Sequence, residues 1–328
     1  MKNGDLTLLN RLFSDDFTVG LAEIATHPAV ILLIAVLIEL FLPIPDKWRL
    51  KNLTFFFSKL GRRVNKPNRS VKQIEFAGTV LPLLIIAIFM ALLLLLKLLV
   101  ELDLIIDLLL LPLLLYGHKR MFWASLIEEH VKREEKDEAK RLLEKQLKRD
   151  CRSLSLLGIS KAAFEHCLMY LFVNWWSVMI WYLTAGLQGA LLISLVSLLS
   201  RVYSIKVKST RVFGASCYKL LQFLLILPAI PFVLIMSAHR HGWDGLRRAL
   251  GTAQTWPGFI PGLITAVTGA RLNIALGGPR IYDGVLTRLP ACGGSDPPAA
   301  DSAFLLCRLI RIQGLLFLIF WIGCEFML

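Results

Sequence analysis

The sequence predicts an all-α fold, that of a multi-pass helical integral membrane protein with amphipathic cytoplasmic helices. Two features of its composition predict this class. Apolar residues make up 56% of the 328 residues and charged residues only 19%, against about 45–50% and about 25% in a soluble domain. Mean hydropathy is +0.62. This composition excludes a disordered chain, a collagen-like chain and an ordinary cytosolic enzyme, and it favours one membrane domain over residues 1–328.

The first third of the chain predicts two spans around a basic loop. Residues 28–45 are apolar except for Glu39 and are slightly short for a span. Residues 46–75 carry nine Lys/Arg against two acids, so the positive-inside rule places them in the cytoplasm. Residues 77–96 are uncharged and predict the second span. Within the basic loop, apolar residues recur at helical spacing and predict an amphipathic helix on the membrane surface: Trp48, Leu50, Leu53, Phe56, Phe57 and Leu60.

Residues 104–116 predict a short third span or a re-entrant piece around Pro112. Acidic residues precede this piece and Asp107 lies within it, which leaves two interpretations open. The acids mark the outer face of the membrane, or one of them is an intramembrane carboxylate with a functional role.

Residues 116–161 form the longest polar segment and predict a solvated cytoplasmic helix. Glu128–Lys132 and Glu129–Arg133 are acid-before-base pairs at i,i+4 spacing, which supports a helix. One apolar stripe runs along it. We expect this arm to pack on its own protein, the alternative being a partner-binding coiled coil.

Three further apolar segments follow. Residues 168–200 carry no formal charge over 33 positions. A single helix of that length would measure about 50 Å, against about 30 Å of hydrocarbon, so we expect a break near 184–189. Residues 220–238 predict another span, with two internal prolines, and 303–328 a last one. The membrane side of the Gly/Pro-rich residues 239–302 stays open.

The net charge of +13 bears on whether the partner is a nucleic acid or a membrane. In a membrane protein, excess Lys/Arg sets topology, and the sequence holds no nucleic-acid-binding motif. We therefore expect membrane lipid, and no nucleic acid, as a partner. The six cysteines include no CxxC pair, so we expect neither a disulfide framework nor a metal site.

One stretch is more specific. Trp256-Pro257, then Leu272 and the run Leu276-Gly-Gly-Pro-Arg-Ile-Tyr-Asp-Gly284 resemble the C-terminal signature of the CobD/CbiB family, which are membrane proteins of cobalamin biosynthesis. Shorter matches follow the family's order over about residues 25–285: His27-Pro28, Arg149-Asp150, Glu165, Phe213-Gly214 and Pro228-Ala229. The resemblance implies a multi-pass protein of the bacterial inner membrane.

The resemblance also implies an activity. Adenosylcobinamide-phosphate synthases of this family form a C–N bond, as ligases do, between adenosylcobyric acid and aminopropanol or its phosphate. They use ATP and Mg²⁺, so a corrinoid substrate and other cobalamin-biosynthesis proteins are the expected partners. No catalytic residue can be assigned. The substrate-binding candidates are Glu165, Lys206, Trp256, Gly277, Gly278, Pro279, Tyr282 and Gly284.

The chain departs from the family pattern where oxygen ligands are expected. Acidic and amide positions of that pattern are occupied here by other residues, among them Met169, Tyr170, Val173, Ser197, Ser200, Leu221, Gln222 and Leu225. A hard cation needs several oxygen ligands, so the synthase activity is expected to be weakened or absent. Residues 47–64 also resemble the first cytoplasmic loop of the related AmpE-type membrane proteins. The alternative function is therefore a non-enzymatic membrane signalling or scaffold protein.

Overall fold

The computed structural model describes residues 27–42, 44–100, 102–239 and 242–327, and the described chain is mainly helical. Six helices lie before residue 150: α1 (Pro28–Phe41), α2 (Thr54–Val64), α3 (Val71–Val100), α4 (Asp103–Leu114), α5 (His118–Lys132) and α6 (Lys136–Glu144). Seven follow: α7 (Leu156–Leu171), α8 (Ser177–Val202), α9 (Ala215–Leu224), α10 (Ile226–Ser237), α11 (Gly242–Ala253), α12 (Phe259–Leu272) and α13 (Ser302–Met327).

Helices α7 and α8 form the centre of the fold. A π-helical turn, Phe172–Trp176, joins them into one continuous element. Helix α8 packs against α1, α2, α3, α4, α9 and α10, and α7 packs against α5, α6, α12 and α13. Most apolar side chains of the central pair are buried, so the hydrophobic core follows this element.

Three of the described helices are long and apolar enough to cross a membrane: Val71–Val100, Leu156–Val202 and Ser302–Glu325. Helices α9 and α10, bent by 49°, make a fourth if they count as one span. Of the predicted spans, residues 28–45 contain only the 14-residue α1, about 21 Å long. Residues 104–116 overlap the 12-residue α4, which begins one residue earlier, at Asp103. Both helices are too short to cross about 30 Å of hydrocarbon alone.

The expected break in the long apolar run is confirmed. Within α8, Ala185 (φ −139°, ψ 20°) and Gly186 (φ +61°, ψ −157°) leave the helical conformation. Gly186 occupies a region that L-residues with a Cβ rarely adopt. The break therefore sits where a glycine can supply the required backbone conformation.

The polar segment 116–161 differs from a single helical arm. It forms α5 and α6 and then an irregular stretch, while its last residues already belong to α7. The two i,i+4 ion pairs of α5 are present, Glu128–Lys132 at 2.6 Å and Glu129–Arg133 at 2.7 Å. Because α5 packs on α7 and α13, the arm lies against its own protein, as expected.

A β-hairpin, absent from the all-α prediction, follows α12. Strand β1 (Ala275–Tyr282) pairs antiparallel with β2 (Val285–Gly293). The two-residue loop Asp283-Gly284 has positive φ at both positions, +51° and +77°, as in the type I′ turns that connect hairpins. The composition of the Gly277-Gly278-Pro279 stretch is typical of a turn, but the stretch lies in β1, where the register is irregular between Leu276 and Gly278.

Candidate functional site

The hairpin closes one side of a large cavity of about 1070 Å³. This volume lies just above the range for small-molecule sites, roughly 300–1,000 Å³. Much of the wall is apolar and comes from α7, the π-helical turn, α9, α10 and α12. Representative wall residues are Met169, Val173, Leu221, Leu225, Ile226 and Phe259. Such a cavity suits a large ligand with an extensive apolar surface.

Positive charge dominates the polar part of the lining. Six cationic side chains line the cavity: Lys148, Arg149, Lys206, Arg211, Lys219 and Arg280. Glu165 is the one carboxylate among the described lining residues. The lining therefore carries five positive charges in excess, and apolar walls concentrate the field of such charges on a bound ligand.

Glu165 organises the buried part of this charge. Its Oε1 accepts the backbone N–H of Gly277 at 2.9 Å, and its Oε2 lies 2.9 Å from Nη2 of Arg280. Nη1 of Arg149 lies 3.8 Å from the same Oε2. The three side chains are only 8–13% exposed. Because these side chains are buried, salt and water screen their interactions only weakly. The carboxylate therefore holds the two guanidinium groups and the first residues of β1 in position.

Two backbone contacts bring the remaining segments to the hairpin. The N–H of Asp150 donates to the carbonyl of Ile281 at 2.9 Å, which holds the neighbouring Arg149 beside β1. The N–H of Lys208 donates to Oδ2 of Asp283 at 2.9 Å, which holds the segment of Lys206 beside the hairpin loop. Residues far apart in sequence thus meet at one end of the cavity.

Tyr282 lies at the centre of the basic groups. Nη1 of Arg280 donates to its hydroxyl at 3.4 Å, and Nζ of Lys206 lies 5.2 Å from the centre of its ring. Burial opposes ionisation of this phenol, but Lys206, Arg280 and Arg149 together outweigh burial and lower the pKa of Tyr282. The guanidinium of Arg280 also lies 5.7 Å from the ring centre of Trp256. The phenol therefore experiences a strongly positive environment.

The structure brings some of the sequence-predicted residues together and separates others. Glu165, Lys206, Trp256 and Tyr282 line the cavity. Gly277 contributes its N–H to Glu165 rather than to the cavity space. Gly278, Pro279 and Gly284 lie in the hairpin, outside the lining.

Arg149 and Arg280 are candidate site residues that the sequence-based prediction did not include. Both line the cavity and both pair with Glu165. The signal that could have found them was present, because each stands inside a stretch that carries the family resemblance.

The residues of the cavity do not fit the Mg²⁺ that a synthase would use. A divalent cation of this type needs oxygen ligands. Met169, Val173, Leu221 and Leu225, at positions where the resemblance implies acids or amides, line the cavity with apolar groups. The single carboxylate is already engaged by three partners. Within the described ranges, no group of three or more His, Cys, Asp or Glu side chains could hold a metal ion.

Comparisons with known proteins agree on one family. The family model described as CobD/CbiB protein matches residues 32–310. The cobalamin biosynthesis protein CobD of Chromobacterium violaceum is 26% identical over 163 residues, which are 50% of this chain and 52% of that protein. The match thus spans about half the length of that curated relative. No solved structure matches the chain. The family model covers most of the sequence, and the chain belongs to the CobD/CbiB family.

Proposed function

We propose that this protein acts in cobalamin biosynthesis as a multi-pass protein of the bacterial inner membrane, and that its cavity binds a corrinoid. The observation that carries the proposal is the combination of a cavity of about 1070 Å³ with an apolar wall and a cationic end. A corrinoid acid is large, has apolar macrocycle faces and carries a carboxylate. Its ring would lie against the apolar wall, and its acidic side chain would reach the basic groups.

The finer proposal is the reaction of the family, amide formation between adenosylcobyric acid and aminopropanol or its phosphate. Lys206 and Tyr282 would contact an anionic group of the substrate, and Arg149 and Arg280 would be held in place by Glu165. ATP would supply the phosphoryl group that activates a carboxylate. We derive no step through Mg²⁺, because Glu165 is the one carboxylate among the described lining residues and its oxygens are already engaged by Gly277, Arg280 and Arg149.

A turnover and binding assay tests this proposal. The protein, purified in detergent, is mixed with adenosylcobyric acid, ATP, Mg²⁺ and aminopropanol or its phosphate, and the amide is sought by mass spectrometry. Corrinoid binding is followed separately by quenching of intrinsic tryptophan fluorescence. We expect saturable binding that Lys206→Ala weakens and Lys208→Ala, outside the lining, does not. Absence of corrinoid binding, beside an active family member, would refute the proposal.

The second candidate function is that of a non-enzymatic, AmpE-like signalling or scaffold protein. One observation favours it: apolar residues occupy cavity positions where the family pattern has oxygen ligands. This function predicts no corrinoid binding, no product, and full tolerance of Lys206→Ala. Corrinoid binding without turnover would instead indicate a family member that holds the substrate, with other cobalamin-biosynthesis proteins as partners.

A further inference from the structure

Most cations of the cavity have no counter-ion within the described chain. In the described ranges, no carboxylate oxygen lies within 4.0 Å of the charged groups of Lys148, Lys206, Arg211 or Lys219. Elsewhere the chain pairs such groups readily, as Lys132 does with Glu128 at 2.6 Å. Four cations facing one cavity without a protein anion indicate a site for an anionic ligand.

The two arginines held by Glu165 also keep free donors. The side chain of Arg149 is 9% exposed and that of Arg280 is 13% exposed. In both, the Nε–H is buried and lacks a hydrogen-bond partner. A buried donor without an acceptor is destabilising, and an oxygen of a bound ligand would remove that cost. Both side chains line the cavity, so the unmet donors lie beside its cationic end.

We propose that this end of the cavity is a phosphate-binding site that works without a divalent cation. The inference rests on the proposed function, because it concerns the same cavity, and it specifies the chemistry recognised there. Lys206 and Tyr282 contact the phosphate oxygens directly, and Arg149 and Arg280 supply further N–H donors. The positive charge that a metal ion would bring is built into the protein.

Electrostatics argue against a metal in this position. Five excess positive charges repel a divalent cation, and the one carboxylate that could attract it is shared by Arg280, Arg149 and the N–H of Gly277. The same charges attract a phosphate group with two negative charges. A phosphate ester of the amine substrate and a nucleotide phosphate carry this same chemistry, so an experiment has to separate the two sources.

Isothermal titration calorimetry on the full chain in detergent tests the inference. Pyrophosphate is the first probe, followed by ADP and aminopropanol phosphate, each titrated in EDTA and again with MgCl₂. We expect pyrophosphate to bind in EDTA with an affinity that Mg²⁺ does not increase and that added salt decreases. The tighter of the other two ligands identifies the source of the phosphate. Binding that requires Mg²⁺, or no phosphate binding in either buffer, overturns the inference.

Matched variants locate the site. Lys206→Gln should weaken pyrophosphate binding about tenfold or more, since hydrogen bonds to charged groups contribute about 1.5–3 kcal/mol. Lys208→Gln removes a nearby charge outside the lining and should leave binding unchanged. Thermal unfolding of each variant verifies that it is folded. Equal weakening by both substitutions would assign the binding to general surface charge and overturn the site.

A parallel measurement of corrinoid binding distinguishes a failure of this inference from a failure of the proposed function. Metal-free phosphate binding without corrinoid binding would support the phosphate site and refute the role of the cavity in corrinoid chemistry. Corrinoid binding combined with Mg²⁺-dependent phosphate binding would do the reverse.

Discussion

The backbone N–H of Gly277 donates a hydrogen bond of 2.9 Å to Oε1 of Glu165, across 112 positions of sequence. This bond attaches the hairpin to the central helix α7. The second oxygen of the same carboxylate pairs with Arg280 at 2.9 Å. Glu165 is thus a positioning residue whose two oxygens already bind protein groups. This explains why the one acid among the described lining residues is not available to a cation.

Replacing Glu165 with Gln should destabilise the protein by about 3 kcal/mol, because removal of one partner leaves buried guanidinium groups without a counter-charge. The amide oxygen can still accept the N–H of Gly277, so the loss reports mainly on the ion pairs. Thermal unfolding in detergent measures it. The control is Glu138→Gln, which breaks the exposed pair with Arg141 and should cost no more than about 0.5 kcal/mol. Equal losses in both variants would contradict the buried role.

The hairpin glycines should differ in their tolerance of a side chain. Gly277 has φ +81°, and a Cβ there would lie 2.1 Å from the carbonyl oxygen of Pro290. Gly284 has φ +77° but open space around it. We expect Gly277→Ala to cost at least about 2 kcal/mol, through strain plus a backbone clash, and Gly284→Ala about 1 kcal/mol, through strain alone. Unfolding curves of the two variants decide this, and a reversed order would be evidence against the bulged register.

The sequence predicts the helical part of this fold well because helix signals are local. Runs of apolar residues located α3, α8 and α13, and the length of residues 168–200 predicted a break near 184–189, which the structure shows at Ala185 and Gly186. The length of α1 was overestimated, because apolar residues continue beyond Phe41, where the helix ends. The short piece predicted at residues 104–116 corresponds to the 12-residue α4. Composition does not reveal where a helix ends.

Local sequence patterns could not predict the hairpin or the ion pairs of Glu165 with Arg149 and Arg280. Two glycines and a proline are typical of a turn, whereas their place in β1 depends on pairing with residues nine or more positions away. The contact between Glu165 and Arg280 joins α7 to β1, which no periodicity indicates. Both residues stand in stretches that carry the family resemblance. The sequence could therefore suggest that they lie close together, but it could not predict the geometry of their contact.

The affinity for phosphate should begin to fall at a lower pH than deprotonation of the lysines alone would cause. The neighbouring cations lower the pKa of Tyr282 below its ordinary value, near 10. When pH rises through that lowered pKa, the phenol becomes a phenolate, which repels a phosphate group. Pyrophosphate titrations between neutral pH and about 10 should show this early decrease, and Tyr282→Phe should remove it, leaving only the loss near the lysine pKa of about 10.4. Coincident pH profiles for the two proteins would contradict direct contact.

The last prediction concerns Asp107, which the sequence left as either a marker of the outer face or an intramembrane carboxylate. Asp107 is buried in the structure, its Oδ2 accepts the hydroxyl of Tyr182 at 2.7 Å, and Nζ of Lys97 lies 3.0 Å from its Oδ1. These contacts join α3, α4 and α8, which indicates a structural role for this carboxylate.

Asp107→Asn should therefore destabilise the protein by about 3 kcal/mol, since it leaves the poorly exposed Lys97 without its closest partner. Lys97→Met should cost a similar amount, and the double variant less than the sum of the two, with a coupling of at least about 1 kcal/mol. Asp103 also pairs with Lys97, at 3.3 Å, but its side chain is 72% exposed, so Asp103→Asn is the matched control and should cost less than about 1 kcal/mol. Denaturant titration in detergent gives all four values. If Asp107→Asn were no more costly than Asp103→Asn, the ion pair would contribute nothing to stability, and a functional role for this carboxylate would have to be considered again.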